Sequence, residues 1–451
     1  MKLNRKQKLF IFLLIVFAVT GVKFFLSYSN AQRNINVILI TIDALRPDHL
    51  GCYGYNRNTS PNIDKLAKEG VLFTQAISQA SWTNALVSLL TSTYPSTHRI
   101  EKFGTALDKR LITIAEILKK NNYATACSSD RDWIVENFPD LRRRFDYFLD
   151  ISETNGLIKI EEIISWIRKF AKKDFFIWIH FFDYPHAPYL PSPPYNEMFI
   201  SYERQKNIPI GKGIGIKGFI PAFLVVNNIT DVNYYISQYD GEIAYCDEQI
   251  GRILDELKNL NLDKNTFIII SADHGESLGE HDYYFQHGFY LYDQLLKVPF
   301  IIKGPTIPKA KVINQQVQLI DIMPTILSIL KIKVDIKMEG IDLLPIIFGR
   351  NDNQYFAFSE VMDDEGMNLK SIRTREWKLI HNLSTNKYEL YNLRTDPGET
   401  INLAKIEKEQ FEFLKTKLEE WMNRPRPKIT PLTKSLDEET KERLKSLGYL
   451  Q

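Results

Sequence analysis

Thr266-Phe267-Ile268-Ile269-Ile270-Ser271-Ala272-Asp273-His274-Gly275-Glu276 is the stretch from which the fold is read. Its first five residues are β-branched or aromatic without polar interruption, the composition of a strand buried on both faces. An acidic residue and a histidine follow at its carboxyl end, the edge where open α/β sheets place their ligands. Both side chains bind divalent metals. Taken alone, the pair reads equally well as a helix-capping Asp beside a surface His. A second run shifts the balance: Val37-Ile38-Leu39-Ile40-Thr41-Ile42 has the same character and ends in Asp43. Two such strands, if parallel neighbours, present both carboxylates at one sheet edge.

Moving outward, Pro61 opens a helical pattern over Ile63–Glu69 that Gly70 closes, and Val71-Leu72-Phe73 reads as a short strand. Ser81 or Thr83 is a natural N-cap for a helix beginning near Ala85. That would set a hydroxyl at a helix N-terminus, where partial positive charge favours an anion. Tyr123–Cys127 and Phe175–Phe182 read as further strands, and His186 sits between Pro185 and Pro188 in a stiff loop. His180 reads as a satisfied core histidine. Residues 190–230 carry no periodicity and read as a long loop, before apolar spacing from Asp231 marks a long amphipathic helix. Beyond the Asp273-His274 pair come His281, His287-Gly288, a strand at Val298–Ile302 and a helix over Ile320–Leu330. Alternating segments at Ile372–Thr374, Trp377–Ile380 and Tyr388–Tyr391 then predict a small antiparallel sheet, followed by a charged helix over 406–422.

The 451 residues are 44% hydrophobic and 25% charged, an ordinary globular composition, and the net charge of +2 gives no reason to expect a nucleic-acid partner. Three cysteines cannot build a disulfide framework. The basic Met1–Lys8 flank precedes an apolar run from Leu9 to Val22, extended past Lys23 by Phe24-Phe25-Leu26. This is the pattern of an export signal, with Ser29-Asn30-Ala31 as a cleavage site. Read through Lys23, it also reaches the roughly 20 residues of an uncleaved membrane anchor. Either way the body of the protein is expected to lie outside the cytoplasm. The expected organisation is a signal or anchor over 1–32, a main α/β domain over 33–350 and a C-terminal subdomain over 351–451.

Several blocks now align into a family pattern. Asp43-Ala44-Leu45-Arg46-Pro47-Asp48-His49-Leu50-Gly51-Cys52-Tyr53-Gly54 and Thr59-Ser60-Pro61-Asn62 come first. Trp82-Thr83, Leu89-Leu90-Thr91, Asp183-Tyr184-Pro185-His186, Asp273-His274-Gly275-Glu276 and His287-Gly288 follow. Val298-Pro299, Tyr388–Leu393 and Asp396-Pro397-Gly398-Glu399 complete the series. In this order they resemble the sulfatase family of the alkaline phosphatase superfamily. The resemblance implies a large mixed-sheet α/β/α sandwich with a small C-terminal antiparallel sheet plus helix. It implies cleavage of sulfate or phosphate esters, on a small-molecule, glycan or lipid substrate, through a nucleophile held on a divalent metal (Ca, Mg, Mn or Zn). Asp43, Asp273 and His274 take the places of metal ligands. His186 takes that of an ester-anion contact. His287 stands where many sulfatases have a lysine, to bind the anion or protonate the leaving oxygen. Asp48 lies close by and reads equally well as structural.

The chain departs from the family in three places. Ala44 stands where many sulfatases supply another carboxylate. Ser128-Ser129-Asp130-Arg131-Asp132 stands where many carry a lysine and a histidine. Trp82-Thr83-Asn84-Ala85-Leu86-Val87 replaces the Cys/Ser-x-Pro-x-Arg block from which formylglycine is made. Formylglycine chemistry is thereby disfavoured and Thr83 becomes the candidate nucleophile. Two other classes stay open: a phosphodiesterase or head-group transferase using that threonine, and a non-catalytic binding or scaffold protein that kept the fold.

Overall fold

The structure, a computed structural model, describes residues 35–433 apart from 101–104, 131–137, 139, 153–156, 183, 201–205, 213–214, 352, 363–366, 428, 430 and 431. The expected signal or anchor, Asp183 of the Asp-Tyr-Pro-His block and the C-terminal polar tail lie outside the described residues. Among the described residues, no helix is long and apolar enough to cross a membrane.

The stretch that opened the reading is the strand Thr266–Ala272, and its partner is Asn36–Ile42; all seven residues of each are buried. They belong to an eight-stranded sheet. In chain order its strands are β1 (Asn36–Ile42), β2 (Val71–Ile77), β3 (Ala124–Ser129), β4 (Tyr147–Asp150), β5 (Phe175–Phe181), β6 (Thr266–Ala272), β7 (Lys297–Lys303) and β8 (Lys311–Gln318). Across the sheet the order is β8-β2-β7-β6-β1-β5-β3-β4. β7 runs antiparallel to both of its neighbours, while the other pairings are parallel.

Strands buried along their whole length need cover on both faces. The cover comes from two groups of helices. α1 (Pro61–Lys68) and α4 (Ile160–Phe170) pack against the long α5 (Val232–Asn259). α2 (Ala85–Thr91) packs with α3 (Ile114–Lys120) and α6 (Ile322–Ile329). Asp231 caps α5 by accepting from the Asn233 N–H, as its place ahead of the periodic run predicts.

Three expectations change. β2 extends to Ile77, well past the short segment expected. β8 was not anticipated, and neither were β4 and α4; the β8 sequence Lys-Val-Ile-Asn-Gln-Gln-Val-Gln hides a sheet-edge strand behind polar residues. The N-cap of α2 is Asn84, with no side-chain cap bond, so neither the Ser81 nor the Thr83 hydroxyl caps that helix. Thr83 joins the turn through its backbone instead, its carbonyl accepting from the Leu86 N–H at 3.0 Å.

The C-terminal sheet is an antiparallel meander of β9 (Ala357–Met362), β10 (Asn368–Arg373), β11 (Trp377–Asn382) and β12 (Lys387–Asn392), covered by α7 (Lys408–Met422). Ile372, Leu379, Leu390, Leu414, Leu418 and Trp421 form one core with Tyr94 and Ile320 of the larger part. Residues from Asn36 onward therefore make one compact unit.

At the β8–α6 junction, Asp321 accepts backbone N–H groups from Gln318 (2.7 Å) and Ile341 (2.9 Å). Burial pushes its carboxyl from the usual 3.8 up to about 7. A carboxyl raised in the folded state contributes stability that is present at low pH and is lost as pH rises through that value. Urea midpoints at about pH 5 and about pH 8 are therefore expected to differ less in Asp321→Asn than in the wild type.

Candidate active site

Parallel pairing of β1 with β6 sets Ile42 beside Ala272, so Asp43 and Asp273 leave the sheet side by side. His274 follows, and Asp43, Asp273 and His274 offer ligand atoms within 4.8 Å of one another, all three residues fully buried. His274 Nε2 lies 3.3 Å from Asp43 Oδ1 and 3.6 Å from Asp273 Oδ2.

The turn is held so that one atom of each of the last two residues stays available. Asp273 Oδ1 accepts the N–H groups of Ala44 (3.3 Å) and His274 (2.9 Å), while Oδ2 has no hydrogen-bond partner. His274 Nδ1 bonds the Gly275 carbonyl at 2.8 Å, which leaves Nε2 unbonded and turned inward. A backbone carbonyl on the second ring nitrogen is the usual way of orienting a metal-binding histidine. Buried polar atoms without partners are rare and call for an explanation. A divalent cation explains these, and the donor set of two carboxylates and an imidazole fits one.

Local backbone supports the turn. A Cβ on Gly275 would stand 2.1 Å from the Gln294 carbonyl oxygen, so only glycine fits there. Ala44 adopts φ 52°, the left-handed region. Its carbonyl accepts from Tyr239, whose hydroxyl also takes the Arg46 N–H. Ala44 is fully buried and adds no carboxylate, so among the described residues the candidate cluster is these three. Asp48 is structural: it forms a two-pronged pair with Arg46, which also bonds Glu280 and the Glu276 carbonyl. This pairing holds the exposed Asp48 carboxyl well below the usual range.

The other expected residues gather on the same side. The His287 ring lies 4.2 Å from the His274 ring and 5.5 Å from the His186 ring, centroid to centroid. Burial lowers His186 to about 3, with His287 adding to the effect, and burial lowers His287 to about 4. Residues near Thr83 in the chain meet the elements of the site at two points. Ser78, upstream of it, donates its hydroxyl to the Asp273 carbonyl. Gly288, at φ 89°, would bring a Cβ to 3.8 Å from the Trp82 Cβ. The hydroxyls of Ser81 and Thr83 are buried and have no hydrogen-bond partner among the described residues. Ser128 and Ser129, at the carboxyl end of β3, share that condition. His180 is fully buried with Nδ1 3.0 Å from the Thr41 hydroxyl, as a core histidine should be, yet it also feels the charges of Asp273 and His274.

Sequence reasoning assigned no role to Glu276. It is fully buried, and its carboxylate faces the Tyr189 hydroxyl, the Ser277 N–H and His287 Nδ1. The one hint in the chain is its place directly after Asp-His-Gly; its partner lies eleven residues further on.

Strand-end carboxylates and a histidine at the centre of a mixed sheet, with a small antiparallel sheet appended, define a member of the alkaline phosphatase superfamily. Within it, the chain belongs to the sulfatase family, a family of sulfuric ester hydrolases: the sulfatase model matches residues 35–332. A second model, the C-terminal part of N-sulphoglucosamine sulphohydrolase, matches 279–428. An ulvan-active sulfatase of Formosa agariphila is 26% identical over 442 residues, covering 89% of this chain and 83% of its own. A structure solved with D-glucosamine-2-N,6-O-disulfate superposes with a TM-score of 0.70 at 20% identity, covering 88% of this chain and 100% of its own. The phosphonate monoester hydrolase of Silicibacter pomeroyi superposes with a TM-score of 0.72 at 19% identity, covering 89% and 99%.

Proposed function

We propose that the chain is a metal-dependent hydrolase of sulfate or phosphate esters, with Asp43, Asp273 and His274 holding the cation and Thr83 as nucleophile. The observation that carries this reading is the convergence of Asp273 Oδ2 and His274 Nε2, buried and without hydrogen bonds, beside Asp43. A divalent cation bound there supplies Lewis-acid stabilisation of charge on the ester oxygens. As Thr83 Oγ1 forms the new bond to sulfur or phosphorus, its hydroxyl proton passes to solvent and the bond to the leaving oxygen breaks; His186 contacts the ester anion, and His287 assists departure of the leaving oxygen. Water then releases the group from Thr83.

The N-terminal pattern of basic flank and apolar run supports an exported protein, either anchored or released, so its substrates are extracytoplasmic. Sulfated glycans are the substrate class suggested by the ulvan-active relative and by the disulfated glucosamine bound in a structural neighbour. A second reading has its own observation. A plain threonine hydroxyl in place of the formylglycine precursor favours phosphorus over sulfur, and a phosphonate monoester hydrolase is among the structural neighbours. A phosphodiesterase or head-group transferase acting on lipid esters belongs to this reading. The scaffold alternative loses ground because every ligand and both histidines are present and brought together.

The test is metal-reconstituted protein assayed on aryl sulfate, phosphate monoester, phosphate diester and phosphonate esters, beside Thr83→Ala. Turnover of sulfate alone would contradict the phosphorus preference. Thr83→Ala is expected to keep its metal and its unfolding midpoint and to lose about 10²–10³-fold in kcat. Full turnover in Thr83→Ala removes the nucleophile assignment.

A further inference from the structure

Glu276 is a buried carboxylate in a place where nothing in the ester chemistry above requires one. Its side chain is fully buried, and a carboxylate taken out of water is costly unless its oxygens are matched. They are matched in a specific way. Tyr189 donates its hydroxyl to Oε2 at 3.0 Å, and the Ser277 N–H reaches Oε1 at 3.2 Å. Arg46 spends its guanidinium on Asp48, Glu280 and the Glu276 backbone carbonyl, which locks the main chain beneath the side chain. What remains of the carboxylate's capacity faces His287, whose Nδ1 lies 3.3 Å from Oε1 and 3.4 Å from Oε2.

Two rings and a backbone bond also hold His287. His274 lies over it at 4.2 Å with 35° between the planes, and His186 meets it at 5.5 Å and 64°. Tyr283 donates its hydroxyl to the His287 carbonyl at 3.3 Å. None of these contacts selects which edge of the imidazole points into the site, because a half-turn about Cβ–Cγ preserves them. The carboxylate of Glu276 does select it. An oriented second ring nitrogen is what gives a histidine a defined reacting edge.

We infer that Glu276 is a positioning residue: it holds His287 by Nδ1 and thereby presents Nε2 to the ester oxygen. This rests on the role of His287 in the proposed function and adds the residue through which that role is set.

The experiment uses the metal-reconstituted full chain with Glu276→Ala, Glu276→Gln, His287→Ala and the double variant Glu276→Ala/His287→Ala. Bound metal and unfolding midpoint are recorded for each. Glu276→Ala is expected to lower kcat by about 10–100-fold with KM changed less than about 3-fold. Glu276→Gln, which keeps a hydrogen-bonding group of the same shape, is expected to recover most of that loss. In the His287→Ala background, Glu276→Ala is expected to cost nothing further, the non-additivity of two residues acting as one unit. An equal loss in both backgrounds overturns the inference. A second readout needs no turnover: in protein labelled with ¹⁵N-histidine, the ring signals missing from His287→Ala identify that residue. Glu276→Ala should move the Nδ1 signal and leave the other histidines in place; an unmoved signal overturns the inference by itself. If His287→Ala keeps full turnover, the role given to His287 in the proposed function fails, and the ring signal alone then decides whether Glu276 orients the imidazole.

Discussion

Asp273→Asn is expected to lower kcat/KM by about 10⁴-fold, on the order of 5 kcal/mol of transition-state stabilisation, and to abolish retention of a divalent cation after gel filtration. The substitution is close to surgical. Asp273 Oδ1 accepts the Ala44 and His274 N–H groups, and an asparagine carbonyl can accept the same two, so the turn keeps its bonds. The change falls on Oδ2, which has no bond in the protein and becomes an NH₂ donor aimed at a cation. Stability separates loss of the site from loss of the fold. Removing metal from the wild type leaves two buried carboxylates next to each other, so chelation should lower its midpoint, whereas Asp273→Asn should not respond to chelator. Metal retained at the wild-type level, or turnover within about tenfold of it, would remove Asp273 from the ligand set.

The carboxylates of this site were legible because strand, edge and ligand occupy consecutive residues. A run buried on both faces must be followed by the chain's exit at the sheet edge, so Asp43 and Asp273 carry their position in their own sequence. His186 was legible as a histidine in a stiff loop next to Pro185, and His287 only through family resemblance, since the strand before it, Tyr284–Gln286, is three residues long and carries no apolar run. Glu276 stayed silent although it sits in the most informative stretch, because its meaning is a contact with His287 across a hairpin. The expected cap at Thr83 failed for a local reason: Asn84 takes the N-cap position and the threonine hydroxyl makes no cap bond. β8 escaped notice because a sheet-edge strand rich in glutamine lacks the apolar run that marked β1 and β6. The Asp396-Pro397-Gly398-Glu399 block was visible as a family mark, but its physical purpose was not.

That purpose appears in the contacts of Glu399, and it gives the largest stability effect expected in this protein. Glu399 accepts the Asp293 N–H at 2.5 Å and pairs with Lys378 Nζ at 2.9 Å. Lys378 also pairs with Asp293 at 3.0 Å, and Arg373 bonds Asp293 through Nε and the terminal nitrogen. Lys378 has no exposure at all, and Glu399 only 1%. Asp293 would be driven up by burial, but Arg373 and Lys378 hold it well below the usual carboxylate range. Two cations from the C-terminal sheet thus balance two carboxylates, one of them at the end of the loop that carries His287. Breaking a buried pair by deleting one partner leaves a bare charge, so Lys378→Met is expected to destabilise by about 3–5 kcal/mol in urea unfolding. The sign is checked with pH. Burial already pushes Glu399 upward against the pull of Lys378, and losing the lysine raises it further. A carboxyl raised in the folded state loses its contribution as pH rises through its folded value, so Lys378→Met should be hurt more at high pH than at low. Lys378→Met/Glu399→Gln removes both charges and should recover most of the loss, because a neutral pair carries no unmatched ion. Equal destabilisation in the single and double variants would mean that packing of the lysine stem, and not its charge, joins the C-terminal sheet to the segment behind His287.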